Sequence, residues 1–154
     1  MKAISIHQPY ANFIAHGLKR YETRSWSPSS SLLGMRIAFH ASKTTLSTNV
    51  FCDPMQCDEA VMLHRKRALE SINWGKQAIP LGAIVATGVL SLVIGTDSPL
   101  AHDVGPFEKA LGNWESATHA WQLDDMIMLD EPIPFTGKQG FFNVPNKLIP
   151  EYAR

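Results

Sequence analysis

Apolar and polar residues alternate from Lys2 to Ile6, with Ile4 and Ile6 set against Ala3 and Ser5, which predicts a short first strand. The period then lengthens. Tyr10, Phe13, Ile14 and Leu18 recur at three- and four-residue intervals, so a helix with one core face is expected. Pro9 suits its first turn and Gly17 the left-handed residue just past its end. Tyr21 to Trp26 reads as extended, with Arg20, Glu22, Arg24 and Trp26 on one face and Tyr21 and Thr23 on the other. Pro28 and the serines at 29 to 31 make a loop. Gly34 opens a strand in which Met35, Ile37, Phe39 and Ala41 oppose Arg36, Ala38, His40 and Ser42.

Residues 44 to 57 carry no period. Asp58 to Trp74 reads as a helix capped by Asp58 or Asp53, with Ala60, Val61, Leu63, Ala68, Leu69 and Ile72 on its core side. Its His64-Arg65-Lys66-Arg67 run is expected to be solvated surface, with a binding role as the alternative. Leu81 to Gly95 predicts a long strand bent at Gly88, as a sheet closing into a barrel requires. Pro99 to Gly112 reads as loop with a short helix, and Thr118 to Leu129 as a strand with Trp121 in the core. Pro132, Pro134 and Gly137 then lead to a last short strand, Gly140 to Val144. Short strands interleaved with two well-marked helices predict an α+β chain, a small mixed β-barrel with two to three flanking helices. Residues 1–154 are expected to form a single domain.

Composition narrows the function classes. An apolar content of 45% supports an ordinary core, and no apolar run approaches the roughly 20 residues of a membrane helix. The N-terminus lacks a charged-then-apolar leader pattern, so a soluble cytoplasmic protein with no membrane partner is expected. Cys52 and Cys57 could form a disulfide or half a metal site, but no second pair follows at zinc spacing, so free thiols are the expectation. A metal site from His7, His40, His119 and Glu22 finds no support in their spacing, and no cofactor is expected. The net charge is zero. Residues 1 to 77 nevertheless hold ten Lys and Arg against five Asp and Glu, and residues 78 to 154 hold four against nine. Neutrality argues against coating nucleic acid by charge alone, while a basic side still permits a local phosphate site.

Candidate chemistry concentrates in Gly17-Leu-Lys-Arg-Tyr-Glu-Thr-Arg-Ser-Trp26, where Lys19, Arg20, Glu22 and Arg24 sit beside Tyr21 and Trp26. Cations there can meet phosphate or carbonyl oxygens while a ring stacks on a base. Lys19, desolvated beside Arg20 and Arg24, would give up a proton more readily and act as base or nucleophile. If Glu22 lies within hydrogen-bond reach, Lys19 instead stays a charged clamp. That requires Lys19 to sit in the turn after Gly17, because strand parity alone puts the two on opposite faces. Glu22 can be a general base or the partner of Arg24, and Arg24 a bidentate fork or a brace. His40, Ser42 and Lys43 at a strand end could add a hydroxyl and a cation, with a structural histidine as the plain alternative. Trp26 or Trp114 is expected nearer a ligand than Trp121.

His7-Gln8-Pro9-Tyr10-Ala11, Gly17-x-Lys19-x-x-Glu22-x-Arg24-x-Trp26, and Gly34 leading into His40-Ala41-Ser42-Lys43 together give a chain that resembles the ASCH domain family. The resemblance continues through Gly82-Ala83-Ile84-Val85 and Pro132-x-Pro134-x-x-Gly137-Lys138-Gln139-Gly140 to Phe142-Asn143-Val144-Pro145. The resemblance implies a PUA-like β-barrel, a superfamily whose members commonly bind RNA. It also implies a cleft between the first helix and the barrel, lined by the Lys-Glu-Arg element. Some small bacterial members are amidohydrolases that deacetylate N4-acetylcytidine, and ribonuclease activity is attributed to others. The amidohydrolase branch has threonine where Glu22 stands. Here Ala117-Thr118-His119 also replaces a Gly-Arg-Tyr, so His119 stands for an expected arginine. An RNA- or modified-nucleoside-binding protein is therefore expected. The ligand set is Lys19, Glu22, Arg24, Trp26, His40, Ser42, Lys43, Trp114 and His119. A nucleoside amidohydrolase or ribonuclease using Lys19 and Glu22 is the alternative, and a coactivator-like protein-interaction domain a further one.

Overall fold

A computed structural model describes residues 1–45, 57–72 and 79–154. Its strands are β1 (Lys2–Gln8), β2 (Tyr21–Arg24), β3 (Arg36–Thr45), β4 (Ala83–Gly95), β5 (His119–Pro134) and β6 (Phe141–Asn143). The helices are α1 (Tyr10–Ala15), α2 (Glu59–Ser71), α3 (Pro99–His102) and α4 (Pro106–Ala110). Short 3₁₀ turns at Ser30–Leu32, Asn146–Leu148 and Glu151–Ala153 complete the described elements. Among the described residues no helix is long and apolar enough to cross a membrane. Cys52, Asp53 and Trp74 lie outside them.

The strands form one sheet in the order β2-β5-β4-β3-β1-β6, antiparallel except for β1 beside β3. Alternation along β1 and β3 divides the core as the pattern predicts. Ile4, Ile6, Ile37, Phe39 and Ala41 pack with Ala11, Ile14 and Ala15 of α1 and with Trp121. Ala3, Ala38 and Ile84 face the other side, under Phe142, Val144, Ile149 and Ala153.

The expected barrel does not close. β2 and β6, four and three residues long, are the two sheet edges and do not pair with each other. Rings bridge that seam instead. Trp26 meets Trp121 and Phe141 edge-on at centroid distances of 4.7 and 5.8 Å, and Trp121 stacks on Phe141 at 5.7 Å. Bulged pairing of β4 with β5 and of β3 with β4 curves the sheet.

Three local expectations change. Leu63 is exposed, because α2 docks chiefly through Ala68 and Ile72 on Phe13 and Leu111. Met35 is exposed because it precedes β3. β5 runs on through Pro132 and Pro134. Two prolines at alternate positions put both missing N–H groups on one strand edge, and β2 needs donors only between His119 and Gln122.

Candidate functional site

The site begins at the end of α1. Pro9 offers this helix no side-chain cap, so the buried Gln8 takes over, its Oε1 accepting the Asn12 N–H at 3.1 Å. Gly17, at φ +70°, turns the chain, and the N–H groups of Leu18 and Lys19 both bond the Phe13 carbonyl. Lys19 therefore belongs to this turn rather than to β2, and its stem runs inward, 1% exposed. Its Nζ donates to the Tyr21 carbonyl and lies 3.5 Å from Oε2 of Glu22.

Glu22, 7% exposed, lies between two cations. Its Oε1 is 2.9 Å from Nε of Arg24, a close ion pair in which the N–H is not aimed along the oxygen. A terminal nitrogen of Arg24 donates to the Ser5 carbonyl at 2.9 Å. Ser5 lies just past the stretch of β1 that β6 covers, so Arg24 ties β2 to β1 across the open seam. From below, Glu108 accepts the N–H groups of Arg20 and Tyr21 at 2.9 and 3.0 Å, fixing the entry to β2.

Lys19, Glu22 and Arg24 open into one hollow of about 270 Å³, walled also by Ile6, His7, Tyr10 and Asn113. With Lys19 and Arg24 charged against one carboxylate, these three groups carry an excess positive charge. Both polar ends of the triad are braced by backbone carbonyls, so it is preorganised to receive an electron-rich ligand. Burial raises the Tyr10 phenol above its ordinary pKa. Arg65 opposes that rise and Glu22 adds to it, so the phenol stays a hydrogen-bond donor. Among the described residues no group of three or more His, Cys, Asp or Glu is arranged to hold a metal.

The other expected ligand residues are not in the wall of this hollow. Trp26 is part of the seam cluster and 36% exposed. Trp114 packs edge-on against Tyr21 and leaves its indole N–H buried without a partner. His119 stands across the ladder from Arg24, its Nδ1 2.8 Å from the Thr118 hydroxyl. Ser42 contacts Nδ1 of His7 at 3.0 Å and so is one residue removed from the wall. Lys43 lies in a separate groove. His40 is buried between Ser5 and Phe135. Its Nε2 donates to the Phe135 carbonyl and Nδ1 contacts the Ser5 hydroxyl, each at 3.0 Å. Burial lowers its pKa and Lys43 adds to that, against the bond to Phe135. That is the structural histidine, two bonds away from Arg24 through Ser5.

His7, Tyr10 and Asn113 are wall residues that side-chain reasoning missed. The first two stand in the His7-Gln8-Pro9-Tyr10 block, beside the Gly17 to Trp26 element once α1 folds back. Asn113 carried no signal: its N–H bonds the Thr23 hydroxyl at 3.0 Å, a contact 90 residues apart in sequence. His7 Nδ1 lies 3.0 Å from the Thr44 carbonyl, which can only accept, so Nδ1 carries a hydrogen.

The ASCH domain model matches residues 4–132, most of the chain and the whole Lys19-Glu22-Arg24 element. The chain belongs to the ASCH domain family. Among solved structures it is similar to an ASCH protein from Zymomonas mobilis, at TM-score 0.53 and 14% identity over 96% of this chain and 89% of that one. Two single-residue mutants of that protein agree, at TM-score 0.52 with 13% and 14% identity, over 96% of this chain and 91% and 89% of theirs. At this identity the likeness is one of fold. No curated protein matches the sequence.

Proposed function

We propose that this ASCH protein binds a nucleoside or nucleotide, free or within RNA, in the hollow at the Lys19-Glu22-Arg24 triad. The observation that carries the reading is the convergence of these three side chains, from a turn and a strand, on one opening beside α1. The triad matches the polar edge of a nucleobase, with cations for ring carbonyls or phosphate oxygens and a carboxylate for an exocyclic amine. At about 270 Å³ the space sits near the lower end of small-ligand pockets, roughly 300 to 1,000 Å³. It suits one nucleoside unit rather than a folded RNA surface.

Binding accounts for the geometry better than hydrolysis. Among the described residues the Lys19 amine meets oxygen acceptors, and Glu22 is committed to two cations, so neither is set as a free nucleophile or base. A panel of nucleosides, nucleotides and short single-stranded RNAs, titrated calorimetrically into wild type and Lys19→Met, tests the proposal. At least one ligand class should bind wild type and lose about tenfold or more in the variant, as expected for about 1.4 kcal/mol or more of charge-assisted hydrogen bonding. Equal binding by both proteins refutes it. Released acetate from N4-acetylcytidine, absent in the variant, would instead make the hollow a hydrolase site.

A further inference from the structure

Glu108 turns its carboxylate away from its own helix. A carboxylate in a first turn ordinarily serves the N–H groups at that helix start. In α4 both oxygens leave the helix instead: Oε2 accepts the Arg20 N–H at 2.9 Å and Oε1 the Tyr21 N–H at 3.0 Å, 88 and 87 residues away in sequence.

The reason lies in β2, an edge strand. Backbone groups of successive strand residues point to opposite edges. The carbonyls of Arg20 and Arg24 accept the N–H groups of Leu123 and Thr118, on the β5 side. Tyr21 therefore turns its own N–H and carbonyl to the side where no strand follows. Two side chains stand in for the missing strand. Glu108 accepts the Tyr21 N–H, and Nζ of Lys19 donates to the Tyr21 carbonyl.

Glu108 is held independently of Lys19. Nε of Arg65, on α2, donates to the Ala110 carbonyl at 2.9 Å, and the Asn113 N–H donates to the Thr23 hydroxyl at 3.0 Å. Between these ties, Leu111 and Gly112 join Asn113 in the wall of the hollow. The segment is thus a bracket from α2 to β2, and Glu108 is its contact with the turn that carries Lys19.

We infer that Glu108 is a positioning residue of the hollow: by fixing the Arg20 and Tyr21 amides it aims the Lys19 ammonium at the Tyr21 carbonyl and Glu22. It lies outside the wall and acts through Lys19. The inference deepens the proposed reading of the hollow and rests on it for any effect on binding. Both oxygens are needed, because glutamine offers one acceptor and sets an amide N–H against the second donor.

Acetylation of Lys19 by acetic anhydride, followed by mass spectrometry under native conditions, is compared for wild type, Glu108→Gln and Ile149→Ala. Ile149 is buried in the other core cluster, so its variant reports general destabilisation. Glu108→Gln should label Lys19 about fivefold faster or more, since that side chain is buried only while its turn is held. Ile149→Ala should match wild type. An unchanged rate in Glu108→Gln, or an equal rise in Ile149→Ala, overturns the inference. Calorimetric titration with the ribonucleoside monophosphates adds a second reading. Glu108→Gln should lower affinity about tenfold in the wild-type background but less than about twofold beside Lys19→Met, where the residue it positions is gone. Equal losses in both backgrounds overturn the inference. Failure of the hollow reading looks different: Lys19→Met then leaves binding untouched, or no monophosphate binds, and the labelling alone decides whether Glu108 positions Lys19.

Discussion

At the residue scale, the triad's stability is set by how many partners each charge keeps. Glu22→Gln leaves Lys19 and Arg24 as neighbouring cations with no carboxylate, and is expected to destabilise by about 3 to 5 kcal/mol. Lys19→Met removes one cation while Glu22 retains Arg24, and should cost less, about 1 to 3 kcal/mol. Urea unfolding of the two variants checks the order; a Lys19 variant less stable than the Glu22 variant contradicts the assignment of Glu22 as the hub. The sequence made these residues candidates because so many ionisable groups crowd the end of an apolar helix. It left open whether Lys19 is nucleophile or clamp. That turns on Gly17, whose positive φ swings Lys19 out of strand parity and onto Glu22.

His40 is also argued at this scale. Burial holds its folded pKa below the ordinary value near 6.5. As pH drops below about 6.5, the unfolded ring takes up a proton before the folded one, so the unfolded state binds more protons and stability falls. The loss levels off once pH passes the folded value. His16 is lowered by burial in the same direction and contributes a share. Thermal unfolding between about pH 7 and about pH 5 should therefore show a smaller drop in Tm for His40→Gln than for wild type, whatever its starting stability. Equal drops would remove the burial argument.

At the element scale, glycine spacing carries the packing around the seam. A Cβ on Gly137 would stand 2.4 Å from Cε1 of His40 and 2.6 Å from the Ser5 hydroxyl, inside any tolerable contact. Gly137→Ala is expected to destabilise by about 1 to 3 kcal/mol and to disturb the bonds of Ser5. Differential scanning calorimetry with the ordinary Gly105→Ala control, where a Cβ meets nothing within 4 Å, separates crowding from backbone entropy. Strands with strict alternation, β1 and β3, were readable from period alone because each buries both faces in different clusters. The α2 helix and its Asp58 cap were readable too, but its buried face was not, since its apolar residues exceed what Phe13 and Leu111 can cover, and Leu63 is left on the solvent side. The sequence ends β5 at Leu129, ahead of Pro132 and Pro134, whereas the strand runs to Pro134, because a proline stops a strand only where its N–H is needed.

At the scale of the whole molecule, the open seam unites fold and site. A long strand with a central glycine suggested closure, but whether the two edge strands pair depends on contacts far apart in sequence, which period cannot reveal. In place of strand pairing, Arg24 reaches Ser5 and Trp121 anchors the ring cluster. Trp121→Ala should cost about 3 to 5 kcal/mol, since this ring is fully buried between Trp26 and Phe141. It should also speed amide exchange in β2 relative to β4. Uniform exchange across both strands would show that the rings do not hold the seam.

A crystal structure of the protein soaked with the tightest ligand of the nucleoside and nucleotide panel tests the central claim most directly. The account predicts ligand density in the hollow beside α1, with oxygens within hydrogen-bond distance of Lys19 or Arg24 and a donor facing Glu22. A ligand seated on another surface, with the triad's contacts unchanged and the hollow holding only solvent, contradicts it.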